Sequence, residues 1–157
     1  LKMADPIASI GQVIVKHLPT NEDLIGGIKN ICAENGIRYG QILSVVGSIR
    51  RLAIECVVVS EDDENDFDFG PPRVIPGPLQ VIGLVGLIFE NEDCEMVAHV
   101  HGTFSDSTGS VYGGHLLEGE NPVAVRLCLV IGEITGVRMI EKMDGESGHL
   151  VMHVGQL

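Results

Sequence analysis

Short β-branched runs, punctuated by glycine, proline and acidic residues, make up most of this sequence. One stretch departs from them with helical spacing. Ile7 to Lys16 predicts a first strand. Thr20-Asn21-Glu22-Asp23 then supplies a helix start, an N-cap hydroxyl with an acid three positions on. Leu24, Ile25, Ile28, Ile31 and Cys32 follow as one helix face, and Gly36 stops it. From Gly40 the pattern turns to strand. Gln41 to Ile49 and Leu52 to Val59 predict two strands joined by a tight turn near Ser48 to Arg51. Pro71, Pro72, Pro76 and Pro78 keep the chain extended on its way back to the sheet. Further strands are expected at Leu79 to Phe89, Glu95 to Phe104, Val123 to Glu133, Gly136 to Glu141 and His149 to Val154. Near Leu116 the pattern fits a second helical segment or none.

These elements predict an α+β fold: a largely antiparallel sheet of seven or eight strands with one principal helix, forming a single domain over residues 7–154. Several strands, Val81 to Phe89 among them, are apolar on both faces, so helix or partner subunits must cover both sides. The same run is the longest apolar stretch, at nine residues about half a membrane span, and predicts no transmembrane helix. The first thirty residues carry no basic stretch leading into an apolar core, so a cytoplasmic protein is expected. With 20 glycines and no tryptophan, the core must be built from Val, Ile and Leu on glycine-punctuated strands.

Charge narrows the function. Ten basic residues against 22 acidic ones give a net charge of −12. The basic residues are scattered, and Arg50-Arg51 is their only adjacent pair. Duplex DNA binding normally needs clustered Lys and Arg to displace counterions, so direct DNA binding by this chain is not expected. Glu61 to Asp68 holds six acids and no base, which predicts a solvated loop. Cys32, Cys56, Cys94 and Cys128 form no Cys-x-x-Cys; the three lying in apolar runs, Cys32, Cys56 and Cys128, predict buried free thiols.

The candidate chemistry lies between Ala98 and Gly119. Strand alternation puts His99 and His101 on one face, their Cα atoms about 6.5–7 Å apart. Asp106-Ser107-Thr108-Gly109 predicts a hairpin turn, returning the chain toward the histidine strand. Gly113-Gly114 removes two Cβ atoms, which lets His115 approach that strand closely. Three imidazoles suit Zn²⁺ with a fourth position open, and Fe²⁺, Ni²⁺ or Co²⁺ would also accept them. Hydrogen-bonded strand histidines beside an ordinary glycine turn satisfy the same pattern. His17, His149 and His153 have no comparable grouping and read as structural.

These residues also resemble the plants-and-prokaryotes-conserved (PPC) domain family, the module that accompanies an AT-hook in plant proteins. The resemblance runs through Leu18-Pro19-Thr20-Asn21-Glu22-Asp23-Leu24, Gly47-Ser48, Leu84-Val85-Gly86, His99-Val100-His101, Asp106 to Gly109 and Gly113-Gly114-His115-Leu116. Two departures are Gln80, where the family often has an acid, and Thr20-Asn21 in place of a glycine after the proline. The resemblance implies a compact α+β homotrimer holding a divalent metal, Zn²⁺ best fitted, through His99, His101 and His115. Members are often labelled DNA-binding, yet in plants the AT-hook grips the minor groove, and this sequence has no Arg-Gly-Arg-Pro segment. The expected function is a regulatory or interaction module with protein partners. The alternative is a metal-dependent enzyme acting on a small anionic substrate. Asp106, Ser105 and Glu118 are then the nearest acid or base candidates, although hydrogen bonding in the turn suits them better.

Overall fold

The computed structural model describes residues 6–61, 67–145 and 148–157. In chain order the elements are β1 (Ser9–Pro19), α1 (Leu24–Glu34), β2 (Gly40–Glu55), β3 (Val57–Val59), β4 (Phe67–Phe69) and β5 (Arg73–Glu90). They continue with β6 (Met96–Ser105), β7 (Val111–Leu116), β8 (Val123–Thr135), β9 (Val137–Met143) and β10 (Leu150–Gln156). One eight-stranded sheet takes the order β1-β8-β2-β7-β6-β5-β9-β10, and β3 and β4 form a separate two-stranded ribbon. An additional β2–β5 pairing brings β2, β7, β6 and β5 into a closed circuit.

The one helix among the described residues is where its apolar stripe put it. It buries Leu24, Ile25, Ile28, Ile31 and Cys32 against the sheet. Gly27 lets the helix settle on β1, since a Cβ there would stand 2.6 Å from the Leu18 side chain. Phe104, Leu79, Ile88, Val100, Leu127 and Leu129 complete that core from the strands. The opposite sides of the strands leave Val13, Val15, Val46, Ile82, Val85 and Val125 each more than half exposed. Among the described residues no helix is long and apolar enough to cross a membrane.

Several sequence expectations are corrected. The sheet, largely antiparallel as expected, is nonetheless mixed, because β9 meets β5 in parallel at Glu90 and Ile140. Gly136, at φ +84°, turns the chain out of β8, and Val137 and Met139 then join Tyr39 and Phe89 in a second small core at the far edge. No turn occurs at Ser48 to Arg51. β2 runs straight through with a bulge between Ile49 and Arg51. The bulge resolves a conflict of phase, since Ile49 and Leu52 are both fully buried although three positions apart. Leu116 ends a strand, not a helix, because β7 fills the gap between β6 and β2. Glu61 is an exposed bend, Phe67 and Asp68 belong to β4, and residues 62–66 of the predicted acidic loop lie outside the described residues. All four cysteines are free, but only Cys32 is fully buried; Cys56 and Cys128 are half-buried and Cys94 is exposed.

The helix cap also differs. Asp23, not Thr20, is the N-cap: its Oδ2 accepts from the Gly26 amide at 2.8 Å. Its Oδ1 accepts from the Asn121 amide at 3.0 Å, while the Thr20 hydroxyl donates to the Val125 carbonyl. Asp23→Ala removes both acceptors and is expected to lower stability by about 1–2 kcal/mol. Thr20→Ala, away from the cap, should cost less in the same denaturant titration.

Candidate metal centre

Alternation along β6 sends Val100, Gly102 and Phe104 inward and leaves His99 and His101 on the exposed side. The turn after β6 fixes what comes back beside them. Asp106 Oδ1 accepts from the amides of Thr108 and Ser110 at 2.8 and 3.1 Å, and from the Thr108 hydroxyl at 2.6 Å. Its Oδ2 accepts from the Tyr112 hydroxyl at 3.0 Å. The Thr108 hydroxyl, first among these donors, holds the Asp106 carboxyl below its usual range. Gly109 closes the turn at φ +83°. From this turn β7 pairs with β6 so that His115 stands directly opposite His101. Directly opposed residues share a face, with Cβ atoms about 4.5–5.5 Å apart.

On its other edge β7 presses against β2, with Glu55 opposite His115. A Cβ on Gly114 would lie 2.7 Å from the Glu55 carbonyl oxygen and 3.2 Å from the Ile54 Cβ, so this approach requires glycine. His99, His101 and His115 therefore converge. Their ligating nitrogens all lie within 4.8 Å of one another, and the Nε2 atoms of His99 and His101 are 3.0 Å apart. Two imidazole nitrogens on one tetrahedral Zn²⁺ stand about 3.3 Å apart, close to that spacing. Ring centroids are 4.6 Å apart for His99 and His115 and 5.3 Å for His101 and His115.

The donor chemistry fits a cation. Burial, then the charges of His99 and His101, pushes the His115 imidazole down from 6.5 to about 4. Burial and the neighbouring His101 also lower His99. Neutral imidazoles are the ligating form, so both shifts favour metal over protons. Among the described residues the His115 Nδ1, a buried atom, has no hydrogen-bond partner.

A pH dependence follows for metal-free protein. Between 6.5 and about 4 the unfolded chain takes up a proton on His115 and the folded chain does not. Stability contributed by His115 is therefore lost as pH falls through this window, and levels off below it. Melting temperatures should decline across the window more steeply in the parent than in His115→Ala. Parallel profiles would contradict the shift.

The other sequence-named residues divide. Asp106 is occupied in the turn, and Ser105 stands opposite Val111 at the turn end of β6, away from the histidines. Glu118 lines a cleft of about 680 Å³ bordered by His99 and His115, where the Lys29 ammonium donates to its carboxylate oxygens at 2.9 and 3.1 Å. A second cleft, of about 750 Å³, borders His99 and His101. His17 lies on β1 opposite Cys128, and His153 on β10 opposite Ile140; neither they nor His149 join the cluster. Sequence reading missed Glu55, Glu141 and Phe69, whose ring centroid is 6.0 Å from that of His115. Their sequence neighbourhoods hold no signal for this placement, which arises from strand register.

No curated protein matches the chain. Three solved structures resemble it. A plant- and prokaryote-conserved protein of Pyrococcus horikoshii aligns with a TM-score of 0.81 at 22% identity, covering 99% of this chain and 100% of its own. A metal-containing protein of Archaeoglobus fulgidus aligns with a TM-score of 0.79 at 21% identity, covering 95% and 98%. A protein of Ralstonia eutropha provisionally labelled DNA-binding aligns with a TM-score of 0.72 at 18% identity, covering 88% and 89%. At these identities the likeness is one of fold. Family assignment rests on the sequence: the Plants and Prokaryotes Conserved (PCC) domain model matches residues 6–135, and the chain belongs to that family.

Proposed function

We propose that the protein is a metal-binding homotrimer serving as a regulatory or interaction module, with one divalent ion per chain on His99, His101 and His115. The observation that carries this reading is the convergence of three imidazoles whose ligating nitrogens all lie within 4.8 Å of one another. An all-nitrogen set without thiolate or carboxylate suits Zn²⁺ best and keeps a fourth position open. When bound, such an ion supplies Lewis acidity and lowers the pKa of a coordinated water. The metal-containing relative from Archaeoglobus fulgidus supports the assignment.

Assembly is supported by the exposed valines and isoleucine on the strands of the large sheet, since extensive apolar patches mark interfaces. Closed cyclic symmetry buries such patches without leaving an open edge, and the number three comes from the family resemblance. The free thiols fit a cytoplasmic location. Direct DNA binding is not part of this reading. In the adjacent pair Arg50-Arg51, Arg51 is held by the Glu120 carboxylate and carbonyl; elsewhere Arg38 is held by buried Glu90 at 2.7 Å. The other cations on the strands, Lys16, Arg50, Arg73, Arg126, Arg138 and Lys142, are divided among β1, β2, β5, β8 and β9 in a chain of net charge −12, whereas phosphate binding needs clustered ones.

A second reading, a metal-dependent enzyme, is favoured by the clefts flanking the histidines. Both readings need the metal. Elemental analysis of protein purified without a metal-affinity tag, combined with light scattering, tests them. About one ion per chain in a particle of three chains is the expected result. Negligible metal overturns the site, and a stable monomer overturns the assembly.

A further inference from the structure

The cleft beside His99 and His115 carries an electrostatic signature that the sequence did not show. Four carboxylates line it, Glu55, Glu95, Glu118 and Glu141, against one ammonium, Lys29. Lys29 is already engaged by Glu118 at 2.9 Å, so its charge is neutralised locally. Glu95 accepts from the neutral Asn91 amide at 3.1 Å and has no ion pair among the described residues. Glu55 and Glu141 have no ion pair among the described residues. Glu141 also borders the second cleft, so its charge reaches both sides of the histidines.

Acidic walls alone would be an ordinary solvated surface. Here they surround a cleft of about 680 Å³, within the size range of small-molecule sites. The cleft reaches His99 and His115, two of the three imidazoles whose ligating nitrogens converge within 4.8 Å. Phe69 and Leu150, each more than half exposed, add apolar lining to the same cleft. We propose that this cleft takes an alkyl amine or alkyl guanidine whose metal-binding end lies at the histidines and whose cationic end lies among the carboxylates. Resting on the metal-binding reading above, it replaces the expected small anionic substrate with a cationic one. An anionic head could still meet the ion, but a second negative group farther along the ligand would face unpaired glutamates. The charge of the tail, not of the head, decides the preference.

The probes are three hydroxamates of equal chain length: hexanohydroxamate, 6-aminohexanohydroxamate and the monohydroxamate of adipic acid. Calorimetry with Zn²⁺-loaded protein compares a constant metal-binding head on a neutral, a cationic and an anionic tail. At about 20 mM salt the ammonium tail should bind about tenfold tighter than the neutral one and the carboxylate tail about tenfold weaker, with both ratios shrinking near 0.5 M salt. In Glu55→Gln/Glu141→Gln the ratio of cationic to neutral affinity should collapse toward one. If that variant does not fold, the salt dependence in the parent and the single variant Glu141→Gln carry the test. Equal affinities for all three tails, or preference for the carboxylate, overturn the cationic assignment while leaving the metal site standing. Protein that retains no Zn²⁺ and binds none of the three overturns the metal reading and this inference together.

Discussion

Replacing His115 with alanine is expected to take the protein from about one bound ion per chain to nearly none. His99 and His101 alone offer two imidazoles, and a resident Zn²⁺ site normally uses at least three protein ligands. Outer partners of metal ligands typically cost 10–100-fold in affinity when removed, so loss of a direct ligand should reach at least about 100-fold. The fold should survive, because the His115 side chain is half-buried on the face of β7 away from the core and its neighbour Leu116, on the opposite face, keeps its place in the core. Glu118→Ala is the matched comparison. It alters the same cleft and breaks the contact with Lys29 but removes no histidine, so its metal content should equal the parent's. Metal retained by His115→Ala with circular dichroism unchanged would place the ion elsewhere.

The largest expected loss of stability comes from a residue that carries no chemistry. Asn121 is fully buried, and its side chain completes a stretch of sheet edge. Ala53 faces Val74 across the β2–β5 ladder, and its own N–H donates to Asn121 Oδ1 at 2.8 Å. The Asn121 amide donates to the carbonyls of Leu117 at 2.7 Å and Ala53 at 3.2 Å. The Ala53 carbonyl keeps a second donor, the Leu117 amide at 3.1 Å. Asn121→Ala therefore strands one buried donor, the Ala53 N–H, and one part-buried acceptor, the Leu117 carbonyl. At about 1–3 kcal/mol per orphaned group the variant should lose about 3 kcal/mol, or roughly 6–12 °C in Tm. Asn121→Asp should do no better, since it trades the donating amide for a carboxylate facing two carbonyls. Glu120→Ala, next door, breaks an exposed ion pair with Arg51 and should cost under about 1 kcal/mol. A loss of similar size for Glu120→Ala and Asn121→Ala would remove Asn121 from this role.

Asn121 also explains part of the metal centre. Its bonds tie the segment after β7 to β2 at the place where Glu55 meets His115. The bonds that align His115 with the other two histidines therefore come from the Asp106 turn at one end of β7 and from Asn121 beyond the other.

Local signals along the chain were enough to specify some of this arrangement. Alternation put His99 and His101 on one face because strand side chains repeat every two residues, whatever lies beyond the strand. The helical stripe from Leu24 to Cys32 and the turn at Asp106 to Gly109 are likewise local, set by spacing and by an acid that folds onto its own backbone. Strand β2 shows where such reasoning ends. The pattern around Ser48 to Arg51 reads as a turn, and only burial of Ile49 and Leu52 together makes it a bulge. The helix cap passed from Thr20 to Asp23 for a similar reason, since Asp23 is also held by the distant Asn121 amide.

What the sequence by itself determined is the composition of the site: three imidazoles, a diglycine and a turn able to bring them near one another. What only the tertiary structure decided is the register and surroundings. A slip of one residue in β7 would turn His115 to the other face, and contacts with β2 prevent it through the close approach of Gly114 to the Glu55 carbonyl. The acidic lining of the cleft was beyond reach for the same reason. Glu55, Glu95, Glu118 and Glu141 come from the end of β2, the approach to β6, the segment after β7 and β9. Their meeting depends on pairings between residues far apart in the chain, and spacing along one strand carries no information about its neighbour.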